Sequence, residues 1–165
     1  MNNNCQRCPL HENANHVCLH QVQKPNEIMI IAESPSRTED REGKLFIGSG
    51  LKLIRDVLGQ YDLELENCYL TYAIRCHTQE GQKIGKKMIE ACTLYTRAEI
   101  EKANPTYVLL LGATAVKQIL GSNVKITEAR GQFIAKGDIQ YYPCFQPSMA
   151  IHDPSKLGLI KADLE

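Results

Sequence analysis

Short apolar runs that do not alternate with polar residues constrain this chain more than any other feature. Glu27-Ile-Met-Ile-Ile-Ala32 and Thr106-Tyr-Val-Leu-Leu-Leu-Gly112 are too short for a buried helix and have no polar face, which is the pattern of a strand covered on both sides. Asn67-Cys-Tyr-Leu-Thr-Tyr-Ala-Ile74 is rich in β-formers, and Ile139 to Pro143 follows a polar segment containing Arg130-Gly131; both read as further strands. Helical segments lie between them. Leu51, Leu53, Ile54, Val57 and Leu58 recur at helical spacing behind a Ser49 cap and before Gly59, residues 86–103 form an amphipathic pattern that runs into Asn104-Pro105, and Ala113 to Leu120 is stopped by Gly121. Strands separated by helices predict a three-layer α/β/α fold around a central, mainly parallel four-stranded sheet. In such sheets ligands bind at the carboxyl ends of the strands, which nominates Glu33 to Phe46, Tyr72 to Thr78 and Phe145 to Asp153. The charged stretch from Glu33 to Gly43 reads as a long loop, and loops of that length are usually functional.

The chain has 165 residues and 18.6 kDa, enough for one domain with one core. We expect a single domain over 1–165, with residues 1–26 as a polar, Cys- and His-bearing arm that ends at Pro25-Asn26. With 19 basic and 19 acidic residues, the overall field attracts no polyanion, so any phosphate contact has to come from a local cluster. The groups nominated for such a groove are Arg37, Arg41, Arg75, Lys156 and the helix start at Ser49. The N-terminus lacks an apolar leader region, and no run approaches the roughly 18 apolar residues of a membrane span. The expectation is a cytoplasmic monomer that makes no use of a membrane.

Seven cysteines in a reducing compartment point to metal ligands or thiols rather than disulfides. Cys5-x-x-Cys8 brings two thiolates onto one turn, as a metal or an iron-sulfur cluster requires. Cys76 follows the second strand and Cys92 lies on the next helix, so the two could complete a four-sulfur set. From spacing alone, an equally good reading makes Cys92 a small buried hydrophobe and Cys76 a free loop thiol. Cys68 and Cys144 read as core residues, and Cys18, with His16 or His20, as a spare ligand.

Read in order, the motifs resemble those of the iron-sulfur uracil-DNA glycosylases, families 4 and 5 of their superfamily. They are Cys5-Gln-Arg-Cys8-Pro-Leu10, Ala32-Glu33-Ser-Pro35-Ser36, Glu39-Asp40-Arg-Glu-Gly43, Leu45-Phe46-Ile-Gly48, Tyr69-Leu-Thr-Tyr-Ala-Ile-Arg-Cys76, Cys92, Leu111-Gly112, Arg130-Gly131 and Phe145-Gln-Pro-Ser148. The resemblance implies a four-iron four-sulfur cluster on Cys5, Cys8, Cys76 and Cys92, with a structural zinc as the alternative. It implies hydrolysis of the N-glycosidic bond of uracil or a related modified or deaminated base, acting on DNA with an unpaired or damaged base.

On the same resemblance Glu33 orients water or sugar, Phe46 is the stacking ring, and Ser49, Gly50, Ser148, Met149 and His152 contact DNA, with Met149-Ala-Ile151 as a wedge. Two positions depart from the pattern. Tyr72 stands where the family has an Asn that pairs with the uracil edge, and offers one hydroxyl on a bulky ring. Gln146 stands where the family has a His; it still donates a hydrogen bond to a developing oxygen anion but cannot become cationic. Ala32 and Ser36 also replace glycines. These departures leave a second expectation open: a catalytically impaired homologue that binds DNA or a partner.

Overall fold

The computed structural model describes residues 4–18 and 27–164; His20 and the Pro25-Asn26 break lie outside the described residues. Four parallel strands form the expected sheet: β1 (Ile28–Ala32), β2 (Tyr69–Tyr72), β3 (Tyr107–Leu111) and β5 (Ile139–Cys144). They are joined by a fifth, β4 (Ile134–Lys136), so the order is β2-β1-β3-β5-β4 and the sheet has five strands rather than four. β4 pairs antiparallel with β5 at the edge. It is three residues long and mostly exposed, so it carries no apolar run by which a sequence could announce it.

Alternation along β1 divides the core. Ile30 and Ala32 join Leu70, Tyr72, Leu111 and Cys144 on one face, covered by Leu51 and Ile54 of α2 (Ser49–Leu58) and Ile160 of α7 (Leu157–Leu164). Met29 and Ile31 join Tyr69, Val108, Leu110 and Tyr141 on the other, covered by Ile100 of α3 (Lys86–Ala103) and Ala115, Val116 and Ile119 of α4 (Gly112–Ile119). Helices therefore cover both faces, and β1, with partners on either side, marks the point where the chain's crossovers diverge.

Two local expectations change. The charged stretch after β1 is not all loop: it holds α1 (Arg37–Glu42), started by a Ser36/Glu39 capping box and stopped at Gly43, whose φ is 63°. At α2 the N-cap is Gly48, and Ser49 is the first helical residue, with no side-chain cap.

The N-terminal arm packs through Leu10 into a third small cluster with Ile74, Cys76 and Cys92. It is also fastened to α1. Buried Asp40 accepts from Asn15 N (3.0 Å), Asn15 Nδ2 (2.6 Å) and His16 N (3.1 Å), while His16 Nδ1 donates to the Asp40 carbonyl. Among the described residues no helix is long and apolar enough to cross a membrane.

Candidate functional site

A cavity of about 850 Å³ opens where the carboxyl ends of the parallel strands meet. Each strand end supplies wall: Ala32 and Glu33 after β1, Tyr72 at the end of β2, Gly112 after β3, Phe145 and Gln146 after β5. Ser49 and Gly50 at the start of α2, and Ser148, Met149 and His152 around α6 (Met149–His152), line it from outside. These expected DNA-contact positions therefore share one rim with Glu33 and Gln146. Gly50 packs directly on Ser148: a Cβ there would stand 3.2 Å from the Ser148 nitrogen. The Met149–Ile151 segment is a single helical turn, with Met149 and Ile151 exposed.

Glu33 and Gln146 meet over Gly112. With φ at +88°, Gly112 occupies backbone space that side-chain-bearing residues rarely adopt, and a Cβ would lie 2.5 Å from Glu33 Oε2 and 3.5 Å from Gln146 Oε1. Burial pushes the Glu33 carboxyl above its ordinary value, opposed by a hydrogen bond from Thr114 and the charge of Lys117. Gln146 Oε1 is buried and, among the described residues, has no hydrogen-bond partner. A half-buried carboxylate and an unmet amide oxygen facing one small space make a seat for a group that donates to both, such as water.

Phe46 and Tyr72 also come together, but not as an open stacking surface. Tyr72 lies flat on Phe46, with centroids 4.5 Å apart and planes 7° apart, and both rings are buried. Phe46 does not reach the cavity lining, whereas Tyr72 does. The face expected to receive a base is thus covered by the chain's own tyrosine.

The residue that organises this corner is Glu39, whose role sequence reading missed. Its Oε2 accepts from Ser36 N (2.6 Å), and its Oε1 from Ile47 N (3.0 Å), Gly48 N (3.2 Å) and the Tyr72 hydroxyl (2.7 Å). One buried carboxylate fixes the start of α1, the turn before α2 and the orientation of Tyr72. Ser36-x-x-Glu39, a capping-box spacing, was the signal that could have found it. His77 is a second such residue. It lines the cavity, and its Nδ1 lies 3.0 Å from the Pro35 carbonyl, an acceptor, so Nδ1 carries the proton.

Of the nominated phosphate contacts, Arg37 and Arg41 are exposed. Arg75 is not available: it is 2% exposed and paired with Glu99 at 2.7 Å.

Cys5 and Cys8 on the arm, Cys76 after β2 and Cys92 on α3 gather at one end of the molecule, in an apolar setting that includes Leu10, Ile74, Ile84 and Met88. None is in a disulfide. Burial and the neighbouring Cys92, Cys8 and Cys5 push the Cys76 thiol up to about 12. Tyr95 donates a hydrogen bond to Cys5 Sγ at 3.7 Å, and the Arg75 backbone N–H bonds Cys92. Four soft donors, two of them with hydrogen bonds to their sulfurs, in an apolar shell fit an iron-sulfur group's chemistry. Cys18 does not belong to this set. It is buried in the α2-side core, and its N–H donates to the Arg75 carbonyl at 2.7 Å, while His16 is committed to Asp40. Cys68 and Cys144 are core residues as expected.

A model of the uracil DNA glycosylase superfamily matches residues 20–164. The chain is similar to the type-4 uracil-DNA glycosylase of Thermotoga maritima, 29% identical over 153 residues that cover 92% of this chain and 80% of that protein. The type-4 uracil-DNA glycosylase of Sulfurisphaera tokodaii is 26% identical over 173 residues, covering 98% and 77%. A DNA polymerase of Bacillus phage SP01 is 26% identical over 146 residues, 88% of this chain but 16% of the polymerase.

Proposed function

This chain belongs to the uracil DNA glycosylase superfamily, and on that basis we propose that it is a DNA glycosylase that hydrolyses the N-glycosidic bond of uracil, or of a related deaminated or modified base, in DNA. The observation that carries the reading is the meeting of Glu33 and Gln146 over Gly112, at the floor of a cavity rimmed by Ser49, Ser148 and His152. The same reading takes residues 1–165 as a single-domain monomer that acts alone.

In the reaction the bond between the sugar C1′ and the base nitrogen breaks, and its electron pair leaves on the base. A water held between Glu33 and Gln146 adds its oxygen to C1′ and passes a proton to Glu33, from which the base anion is later neutralised. The Glu33 carboxylate also offsets the positive charge that develops on the sugar. Gln146 accepts from the water through Oε1 and presents its NH2 towards the carbonyl oxygen of the departing base, where negative charge gathers. Ser49, Gly50, Ser148, Met149 and His152 hold the DNA backbone at the rim, with Met149 and Ile151 as the apolar wedge.

The experiment is release of free base from single-stranded and mismatched oligonucleotides carrying uracil, hypoxanthine, xanthine or hydroxymethyluracil. Free base with an abasic product is expected for at least one of them. No free base and no abasic site in any case, from the protein as isolated and from Tyr72→Asn alike, would remove the reaction. The covered face of Phe46 favours one competing reading, a homologue that binds DNA without excising a base, and retained DNA binding in that experiment would select it.

A four-iron four-sulfur cluster on Cys5, Cys8, Cys76 and Cys92 completes the reading. One zinc ion holds its sulfurs about 2.3 Å from a single centre. A cluster's ligands stand around a larger inorganic core, and four cysteines around one apolar end of the molecule suit it. Bound there, it supplies a cross-link between the arm, the strand β2 exit and α3. The isolated protein is expected to be brown, with iron and broad absorbance near about 400 nm. Cys76→Ser should lose both, and Cys68→Ser should keep both; stoichiometric zinc without iron would overturn the assignment.

A further inference from the structure

Tyr72 makes with Phe46 the contact that a flat ligand ring would also make. The planes are 7° from parallel with centroids 4.5 Å apart, the stacked spacing that aromatic rings favour, and the feature that sets this pair apart lies at the hydroxyl end. The hydroxyl uses both of its hydrogen-bonding functions. It accepts from the Phe46 backbone N–H at 3.2 Å and donates to Glu39 Oε1 at 2.7 Å. At one point above an aromatic floor the protein therefore offers a donor and an acceptor side by side. The lactam edge of a pyrimidine, a carbonyl beside a ring N–H, is the complement of that pair.

The donor and acceptor are also fixed in place. Glu39 is held by the backbone N–H groups of Ser36, Ile47 and Gly48, so the acceptor cannot rotate away. Phe46 sits at φ 58°, a conformation costly for a ring-bearing side chain and kept only where the surroundings enforce it. Tyr72 is 1% exposed, yet it forms part of the cavity wall while Phe46 does not. Removing the phenol would join the Phe46 face to the open cavity.

We propose that Tyr72 is a built-in occupant of the base seat: its ring stands where a flipped pyrimidine would lie on Phe46, and its hydroxyl engages the donor and acceptor that would read the base's lactam edge. Tyr72 is thus the specificity-determining residue of the site, and a pyrimidine reaches Phe46 only when this ring leaves. The inference rests on the glycosylase reading and deepens it by naming what controls entry of the base.

The test uses the full-length protein and Tyr72→Gly, Tyr72→Asn and Tyr72→Phe, with p-cresol and free uracil titrated calorimetrically and uracil release followed on a single-stranded oligonucleotide. Tyr72→Gly should bind p-cresol, a copy of the missing side chain, and free uracil, each raising its melting temperature. The unsubstituted protein and Tyr72→Phe should bind neither in the same range, because a ring still fills the seat. Tyr72→Asn should release uracil about tenfold faster or more, as expected if the open seat is a minor state. If Tyr72→Gly does not fold unaided, refolding with p-cresol should restore it, and failure of that rescue counts against the proposal. A folded Tyr72→Gly that binds neither compound overturns it, as does uracil binding equal to that of the unsubstituted protein. Uracil release by the unsubstituted protein that is unchanged in Tyr72→Asn removes the occupant and keeps the reaction. Uracil binding by Tyr72→Gly with no release by any variant removes the reaction and keeps the seat.

Discussion

Glu99→Ala is expected to lower the unfolding free energy by about 3–5 kcal/mol, a large part of the roughly 5–15 kcal/mol that holds a domain of this kind together. Glu99 on α3 and Arg75 beyond the end of β2 are each 2% exposed and 2.7 Å apart. Thr71 Oγ1 donates to the same carboxylate oxygen at 2.7 Å, and Thr96 Oγ1 lies 3.5 Å from Arg75 Nη2. Among the described residues Arg75 Nε and Nη1 already lack hydrogen-bond partners, so removing Glu99 leaves a buried guanidinium without its counter-charge. The double variant Arg75→Met/Glu99→Leu deletes both charges and should recover most of the loss, because a buried pair adds little over a well-packed apolar replacement. Urea titration of the two variants decides the matter. A cost below about 1 kcal/mol for Glu99→Ala would mean the pair behaves as an exposed one. Because Arg75 adjoins Cys76 and its backbone N–H bonds Cys92, the single variant should also loosen the cysteine end of the molecule.

The same pair shows where sequence reading stops. An arginine beside a loop cysteine reads as surface charge, and nothing local marks Arg75 as buried; its partner is 24 positions away on a helix. The strands were legible because a parallel sheet covered on both faces needs continuous apolar runs, which β1 and β3 carry, while β2 and β5 are rich in β-formers. β4 carries none and pairs only at an exposed edge. The rim of the site was legible because topology sends Glu33, Gly112 and Gln146 to strand ends whatever their neighbours are. The state of its interior was not. The stack of Tyr72 on Phe46 joins residues 26 positions apart, and a motif comparison reports the exchange of Asn for Tyr without saying where the ring goes. Glu39 lay between these cases, since its capping spacing was local but its bonds to Ile47, Gly48 and Tyr72 were not.

Those bonds connect the cysteine end to the cavity. The arm that bears Cys5 and Cys8 continues to Asn15 and His16, which hold Asp40. Asp40 and Glu39 are neighbours on α1, and Glu39 sets Tyr72 and the start of α2. An arm without a core of its own thus bears on the floor of the site through a single short helix.

Glu33→Gln is expected to reduce kcat/KM for base release by about 100- to 1,000-fold while leaving the fold as stable as before or more so. The two effects share one cause. Burial disfavours the charged carboxylate at Glu33, with Thr114 and Lys117 offsetting only part of that, so its pKa in the folded protein lies above the ordinary value. A carboxyl raised by folding contributes stability below its unfolded pKa, where it is neutral in both states, and that contribution is lost as pH rises through the folded pKa. Above that raised value the protein therefore carries a carboxylate at a cost to its own stability, and glutamine, uncharged and of the same shape, relieves it. The charge is what the reaction uses, to orient water and to face the developing sugar cation. Base release should accordingly fall as pH drops through that raised value, so the acid limb of kcat/KM sits above the range of an exposed glutamate. Glu33→Gln should flatten this limb, and its melting temperature should equal or exceed that of the unsubstituted protein on the alkaline side of that limb, where the carboxylate is charged. A variant within about threefold of full activity across the profile would take Glu33 out of the reaction, since a group that orients water or stabilises charge is worth about a hundredfold or more.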